Sequence, residues 1–495
     1  MKKTLLLFTL LFLVVGVPQL WADGQTLYVV PPASCANNGN GLAATCAASV
    51  GATGAFRTSD NILCSLTDDA TKLDPGDILY VLDTFLGATN GVFFYGGTAD
   101  TELCSGTASK RIQVRFDYPG RPGIIDGRLS GNYGFVSYRN FYDLYYPVVY
   151  GGTINALSIT TFSGVSTLSK NVRIYGGEVA HNAVSGQKCM ALRGQDILVD
   201  GTTVHDCYDD GVWMTGKRIT VFRTNVYDIS NGSILGDCLQ TSGDMDGTEW
   251  GWNYCDHSNV DSKYCGVLTT DSDGGTVWVH DNVCLRRSTD VLGDGFRSDT
   301  NTIFERNVVT GGTYGIHCNQ VITEFCRVLG NVFIGQSLAG VRTEEGTVDV
   351  AYNTIVDQAI VGHRMVGTAA TQRSYNNLFV NSPTGIKKDT NNTPLDFNNL
   401  FYLTTNTLLV NVTPTTPGTG SLLATNPLFV GSTYADAAGR LNGGARTRGT
   451  SPARNAARAS GLCTDIRARG CNPSSHDMGA YQATSGDPAP ARTAR

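Results

Sequence analysis

Asn225-Val226, Asn282-Val283, Asn307-Val308, Asn331-Val332, Asn377-Leu378 and Asn399-Leu400 are six occurrences of one short phrase. With Asn253 and Asn353 they set an asparagine every 28, 29, 25, 24, 22, 24 and 22 residues between 225 and 399. Glu178-Val179 and Thr203-Val204 fit the same frame with the asparagine replaced. A period of 20 to 30 residues with short strands and no helical pattern signals a β-solenoid. One coil cannot bury its apolar side alone, and stacking buries a continuous core. An asparagine amide carries both donors and an acceptor. One per coil, in one turn, bonds the coils above and below and satisfies turn backbone that is out of reach of water. The ladder therefore reads as structural.

A strand follows each asparagine. Val212, Leu239, Val267, Phe296, Ile316, Val341 and Ile386 form an expected inward column. Alternation along a strand then sends Trp213, Gln240, Leu268, Arg297, His317, Arg342 and Lys387 outward. Two positions on stand Thr215, Ser242, Thr270, Asp299, Asn319, Glu344 and Asp389.

The segments flanking the repeats carry a family resemblance. Gly76-Asp77-Ile78-Leu79-Tyr80-Val81 and Pro119-Gly120-Arg121-Pro122-Gly123-Ile124-Ile125-Asp126-Gly127 open the chain. Asn426-Pro427-Leu428-Phe429-Val430, Ser451-Pro452-Ala453-Arg454-Asn455 and Asp477-Met478-Gly479-Ala480-Tyr481 close it. These resemble segments of secreted proteins of the pectate-lyase-like superfamily. The resemblance implies an all-β, right-handed single-stranded parallel β-helix with N- and C-terminal caps. It leaves activity open, since that fold hosts lyases, epimerases, hydrolases and adhesive proteins.

The expected organisation is a signal peptide over 1–22, a cap and first coils over 23–170, regular coils over 171–410, a closing cap over 411–483 and a disordered tail over 484–495. Lys2 and Lys3, the apolar run Leu5 to Val17 and small Ala22 give the signal pattern. Its removal takes the net charge from −6 to −8. A mildly acidic chain with no further long apolar run argues against nucleic acid and against a membrane span. The expected partner is an extracellular polysaccharide.

The 14 cysteines point to an oxidising compartment. Cys255 and Cys284 each lie two residues after a ladder asparagine, so they are expected to pair between coils about 4.8 Å apart. Cys35–Cys46, Cys64–Cys104, Cys318–Cys326 and Cys463–Cys471 are local expectations.

Loop length marks a candidate site. The step from frame to inward strand is 9 residues for 203 to 212 and 14 for 225 to 239, 253 to 267 and 282 to 296. Loops on a rigid scaffold carry function. These hold Asp228, Asp237, Asp256, His257, Asp261, Lys263, Arg286, Arg287, Asp290 and Asp294, beside Trp213, Gln240, Arg297 and His317 on the outward stripe. A uronate lyase needs a cation on the carboxylate, a base for the C5 proton and an acid for the leaving oxygen. Lys263, Arg297, His257 and Asp237 are the expected catalytic residues. Trp213, Gln240, Arg286, Arg287, His317 and Asp294 are expected to bind substrate.

Three other readings stay open. Asp210, Asp237 and Asp294 share a column, with Cys265 at the intervening coil. Asp237 and Asp294, two coils or about 9.6 Å apart, suit an inverting hydrolase. Asp209-Asp210-Gly211 and Gly236-Asp237-Cys238 resemble acidic motifs of polygalacturonase-like hydrolases, but Lys263-Tyr264-Cys265-Gly266 replaces the Gly-His-Gly of that family. A C5 epimerase would use the same proton abstraction, and a binding solenoid would use the loops without turnover. Asp244, Asp246, Asp271 and Asp273 lie in acidic turns on neighbouring coils that could hold Ca²⁺.

Overall fold

The computed structural model describes residues 24–56, 72–86, 105–128, 134–152, 155–160, 169–182, 187–229, 236–258, 264–269, 275–287, 293–319, 323–367, 371–390, 395–411, 413–428 and 451–453. The expected signal peptide and tail lie outside these residues, as do Cys64, Cys104, Cys463 and Cys471. Among them the chain is an all-β parallel solenoid. The first coil is already in place near the N-terminus, where Thr26–Val29 pairs in parallel with Ile78–Val81 and then Ile112–Arg115.

Each regular coil has three short strands. Around one turn they are Asp237–Thr241 on a first face, Glu249–Gly251 on a second and Tyr254–His257 on a third. The third face is a 14-stranded sheet. The first two merge into one 25-stranded sheet, because Met190–Asp200 and Val212–Phe222 run through the bend between them. The strands are rich in Val, Ile, Phe and Thr, which pack well on a pleated surface. After Val410 the direction reverses: Thr413–Thr415 pairs antiparallel with Asn406–Val410 and covers that edge.

The asparagine ladder occupies the corner between the second and third faces. Asn331 Oδ1 accepts from the Asn307 backbone N–H at 2.8 Å, and Asn331 Nδ2 donates to the Phe304 carbonyl at 3.0 Å. The same pattern joins Asn253, Asn282, Asn307, Asn331, Asn353, Asn377 and Asn399, all buried. The residue before each rung turns the corner with positive φ, at Arg223, Trp252, Asp281, Arg306, Gly330, Tyr352, Asn376 and Asn398. Asn225 is not a rung. It stands opposite Tyr254, in register with Glu178 and Thr203, and buried Thr224 holds the rung position by donating its N–H to Asn253 Oδ1.

The inward column also differs from expectation at one coil. Leu239 faces Gly266, and Gly266 faces Phe296. Val267 therefore joins Gln240 and Arg297 on the outward row, and Leu268 stands with Thr241 and Ser298. Gly266 is inward because Trp250 and Phe296 fill its space: a Cβ there would lie 2.7 Å from the Trp250 ring. One coil later than Val341, His363 fills the inward position with no exposed surface.

Next to that column the first and third faces come very close. The position holds Cys189, Gly211, Cys238, Cys265, Gly295, Gly315, Gly340, Gly362 and Gly385 on successive coils. A Cβ on Gly385 would sit 2.5 Å from the Phe401 ring. Only a glycine, or a cysteine bonded across the gap, fits. Cys189–Cys207, Cys238–Cys255 and Cys265–Cys284 are those bonds, with Cα separations of 5.5, 6.1 and 5.9 Å. The expected Cys255–Cys284 pair is thus replaced by two bonds across the coil. Side chains in register on stacked strands point the same way, whereas a disulfide needs Cβ atoms that face each other. Cys35–Cys46 and Cys318–Cys326 form as expected.

Candidate active site

The first face carries two outward columns. The first is Asp237, Tyr264 and Asp294, followed in the same register by Tyr314. The expected Cys265 is not in it; the register that turns Gly266 inward also puts Tyr264 beside Asp237. The second column is Trp213, Gln240, Val267, Arg297, His317, Arg342, Arg364 and Lys387. Tyr264, Asp294 and Tyr314 each reach diagonally to the second column one coil on. Arg297 Nη1 donates to Tyr264 Oη at 3.5 Å, His317 Nδ1 lies 3.1 Å from Asp294 Oδ2, and Arg342 Nη1 donates to Tyr314 Oη at 3.0 Å. Two tyrosine–arginine pairs thus flank an aspartate–histidine pair.

A row of acceptors fixes the cations from the far side. Arg297 forks onto Asp299, which also accepts from Asn319 Nδ2 at 2.9 Å. Glu344 Oε1 receives both His317 Nε2 at 3.0 Å and Arg342 Nη2 at 2.6 Å. Asp389 takes Arg364 and Lys387 at 2.8 Å each. The guanidinium side chains of Arg297, Arg342 and Arg364 remain 31, 25 and 33% exposed. Clamped on one side and wet on the other, they are preorganised for an anionic ligand.

The local field sets protonation. Burial raises the Tyr264 pKa, and the Arg297 contact pulls part of that back. Tyr264 is therefore a protonated hydroxyl at neutral pH. Burial opposes the charged form of Arg297, but Tyr264 and Asp299 outweigh it and its pKa is raised. Burial likewise works against charged His317, yet hydrogen bonds to Asp294 and Glu344 hold its pKa above the ordinary value. Glu344 is lowered, first by its bond from His317.

A second ionic cluster lies at the earlier end of the first column. Lys188 bonds Asp209 and lies 2.8 Å from Asp210. Asp210 Oδ1 accepts the Asp237 backbone N–H at 3.1 Å. Burial is the largest influence on Asp210 and lifts its pKa to about 6, against Lys188.

The remaining expected residues are dispersed. His257 was expected in the wall of the groove; it is fully buried, with Nε2 2.7 Å from Cys238 Sγ. Burial, then nearby Arg286, drives its pKa well below the ordinary value. A side chain sealed in the core has no route to a surface substrate, so His257 leaves the candidate set. Arg286 is also buried, against the Gly311-Gly312 turn, and Arg287 Nε donates to the Ser258 carbonyl at 2.7 Å. Trp213 has one ring face covered by Arg193 at 4.7 Å. Lys263, Asp261 and Asp290 lie outside the described residues; Lys263 directly precedes Tyr264 in the chain.

Asp271 and Asp273 also lie outside them. Asp244 is taken by Lys217 Nζ at 2.8 Å, and Asp246 adjoins Arg218. Lys217 on Asp244, and Arg218 near Asp246 but bound to Asp196, place positive charge where Ca²⁺ would sit and make these two carboxylates a poor fit for it. Among the described residues, Cys238, Cys255 and His257 are the group close enough to share a metal, and both cysteines are tied in their disulfide.

Sequence reading missed Tyr264, Tyr314 and Arg364. Tyr264 becomes visible once Gly266 is given the inward position. Arg364 lies in the coil of Asn353, whose inward residue is a histidine rather than a hydrophobe.

The fold and this groove define an all-β parallel solenoid protein with a row of cations along one outer face. Similar solved structures include an alginate lyase from Paenibacillus sp. str. FPU-7, at 13% identity over 56% of this chain and 93% of that one, with a TM-score of 0.39. Pectate lyase Pel9A is 15% identical over 93% of this chain and 97% of that one, with a TM-score of 0.43. A PL6-family polysaccharide lyase from Pseudopedobacter saltans is 12% identical over 70% and 87%, with a TM-score of 0.40. No protein-family model and no curated protein matches the chain. Among the described residues no helix is long and apolar enough to cross a membrane, and every cysteine is in one of five disulfides.

Proposed function

We infer that the protein is a secreted lyase that cleaves an acidic, uronate-containing polysaccharide by β-elimination. The observation that carries this reading is the Tyr264–Arg297 pair, on an open face, with further cations stacked beyond it one per coil. Stacked strands are about 4.8 Å apart, comparable with the rise of one sugar in an extended chain, so successive carboxylates can meet successive coils.

Arg297 binds the uronate carboxylate at the cleavage point and favours charge build-up on C5. A base takes the C5 proton, the electron pair forms the C4–C5 double bond, and the C4–oxygen bond breaks. Tyr264, kept protonated, delivers a proton to the leaving oxygen. Lys263, which precedes Tyr264 in the chain, is the proposed base, a role that a lysine takes when nearby cations lower its pKa. Tyr314 and Arg342 form a second binding position further along the groove, with His317 held between the two pairs. No step uses a metal.

A second reading rests on Asp237 and Asp294, which flank Tyr264 in one column. That spacing suits an inverting hydrolase.

Purified protein incubated with alginate, pectate, hyaluronan and chondroitin, with and without a chelator, tests both. Lysis gives ultraviolet absorbance from the conjugated unsaturated uronide, lost in Arg297→Ala. New reducing ends without that absorbance establish the hydrolase instead. Binding with neither product leaves a non-catalytic solenoid.

A further inference from the structure

Trp252 and Trp278 lie away from the groove, around the second face. They are 46 and 37% exposed, on a solenoid whose other described large aromatics mostly face inward or stack edge to edge. Trp278 points outward from Val277–His280, and Trp252 stands at the corner just before the Asn253 rung. Between them His280 is an outward residue with no exposed surface, because the two indoles roof it. Its ring lies 4.0 Å from Trp278 and 4.8 Å from Trp252, perpendicular to the latter.

The polar groups beneath form a closed circuit. His280 Nδ1 lies 2.9 Å from Asp281 Oδ2, and Nε2 lies 2.8 Å from Glu249 Oε1. Arg306 donates to Asp281 through Nε and Nη2, and through Nη1 to Glu305 at 2.8 Å. Glu305 Oε2 accepts the Trp278 indole N–H at 3.2 Å. His280, Asp281 and Arg306 are buried. A buried hydrogen-bonded network beneath an exposed residue is the arrangement that holds a binding group in one orientation.

Trp252 has φ 56°, as the residue before every rung has positive φ, and Gly201 and Gly330 show that glycine fits this corner.

We propose that Trp252 and Trp278 form a saccharide-binding platform, separate from the groove, for a neutral polysaccharide. Exposed indoles meet the apolar C–H faces of pyranose rings while polar neighbours meet the hydroxyls. Glu249, 28% exposed, supplies an acceptor at the rim, and Arg223 on the preceding coil supplies donors. Charge selects the sugar class. Glu249, Asp281 and Glu305 outnumber Arg306, and Arg223 is balanced by Asp200. Such a rim repels uronate chains and accepts uncharged ones. The platform would tether the protein to one polymer of a mixed matrix while the groove addresses another.

The test is affinity electrophoresis of the whole protein through gels containing glucan, xylan, mannan or polyuronate, alongside pull-down on insoluble cellulose and chitin. Trp252→Gly with Trp278→Ala is the informative variant, since glycine suits the corner backbone and the fold should persist. Circular dichroism checks that it does. The expected result is retardation by at least one neutral glycan, weakened at least tenfold in the double variant, with uronide formation or groove binding unchanged. The proposal is overturned by no retention on any neutral glycan, by equal retention in the variant, or by retention on polyuronate alone. It is also overturned if the wild type is a dimer by size exclusion and the variant a monomer, which would make the indoles a subunit contact. Because the readout is retention, failure of the lyase reading leaves this outcome legible, and the reverse holds.

Discussion

The asparagine corner and the first-face groove are built on the same coils and follow opposite rules. At the corner one residue type repeats from Asn253 to Asn399, buried at every rung, each making the same two kinds of bond. On the groove face the residue changes at all but one step, from Gln240 through Val267, Arg297, His317 and Arg342 to Arg364 and Lys387. Repetition answers a demand that recurs with every coil, the satisfaction of turn backbone. Variation at one register position is free of that demand, and on the proposed function it answers one that occurs once, set by a ligand. In a solenoid the functional signal is therefore the column that refuses to repeat.

The largest effects should separate these two rules by what they change. Arg297→Ala should lower kcat on the preferred polyuronate by about 10²–10³, the cost of losing one preorganised charge-stabilising donor. Tyr264→Phe should fall in the same range, while Arg297→Lys should recover part of the loss. Steady-state kinetics with thermal melts in parallel is the check, and the melts should move little. If both variants unfold instead, the groove column is structural and the contrast collapses.

Asn331→Ala should do the reverse. It strips the Asn307 N–H and the Phe304 carbonyl of their buried partners. Each orphaned group costs about 1–3 kcal/mol, so a loss of roughly 3 kcal/mol is expected in denaturant titration, with kcat unchanged in protein that remains folded. A shift below about 0.5 kcal/mol would mean that water reaches the corner.

Two histidines sharpen the comparison through pH. Burial, with Lys388 nearby, lowers the buried His363 to about 3. The unfolded chain then binds the proton more readily, so stability falls as pH drops below the ordinary histidine value. His317 is raised by Asp294 and Glu344 against its burial. Its contribution is fully present below the ordinary histidine value and is lost as pH rises through the folded pKa. His363→Gln should flatten the acid side of a stability–pH curve, and His317→Gln the neutral-to-alkaline side. Identical curves for the two variants would remove the distinction between a core position and a groove position.

What could be read from sequence followed the same division. The ladder period gave the parallel coils because its cause is repeated at every turn. Cys35–Cys46 and Cys318–Cys326 were legible because each closes a short local loop. Three things were hidden by packing between faces. Gly266 turns inward only because Trp250 occupies the space a side chain would need. That displaced Val267, Leu268 and the tyrosine beside Asp237. Cys238 and Cys265 reach across the coil at a position otherwise given to glycine, a closeness set by strands far apart in sequence. His257 ends the strand Tyr254–His257 amid polar sequence, yet its ring fills the core beside a disulfide. The groove residues resisted reading for the reason that makes them informative: their column has no period.

The smallest expected effect asks whether the ladder is extensible. Thr224 holds the rung below Asn253 and lends only its backbone N–H to the chain of amides. Its hydroxyl turns back to the Phe222 carbonyl at 3.1 Å instead of reaching the next coil. Thr224→Asn would offer a donor and an acceptor where the preceding coil has buried Thr202, whose own hydroxyl is committed to the Gly176 carbonyl at 2.9 Å. A gain of up to about 1 kcal/mol is expected, the net worth of one added hydrogen bond, read as a higher denaturation midpoint with unchanged cooperativity. A gain means the corner accepts asparagine wherever the coil is regular, and the ladder stops at Asn253 by history. A loss means the coils around Thr202 and Thr224 are shaped differently, and the long strands Met190–Asp200 and Val212–Phe222 beside them would be the cause. Either result fixes where the repeating scaffold begins, and so how many coils are available to carry a column that varies.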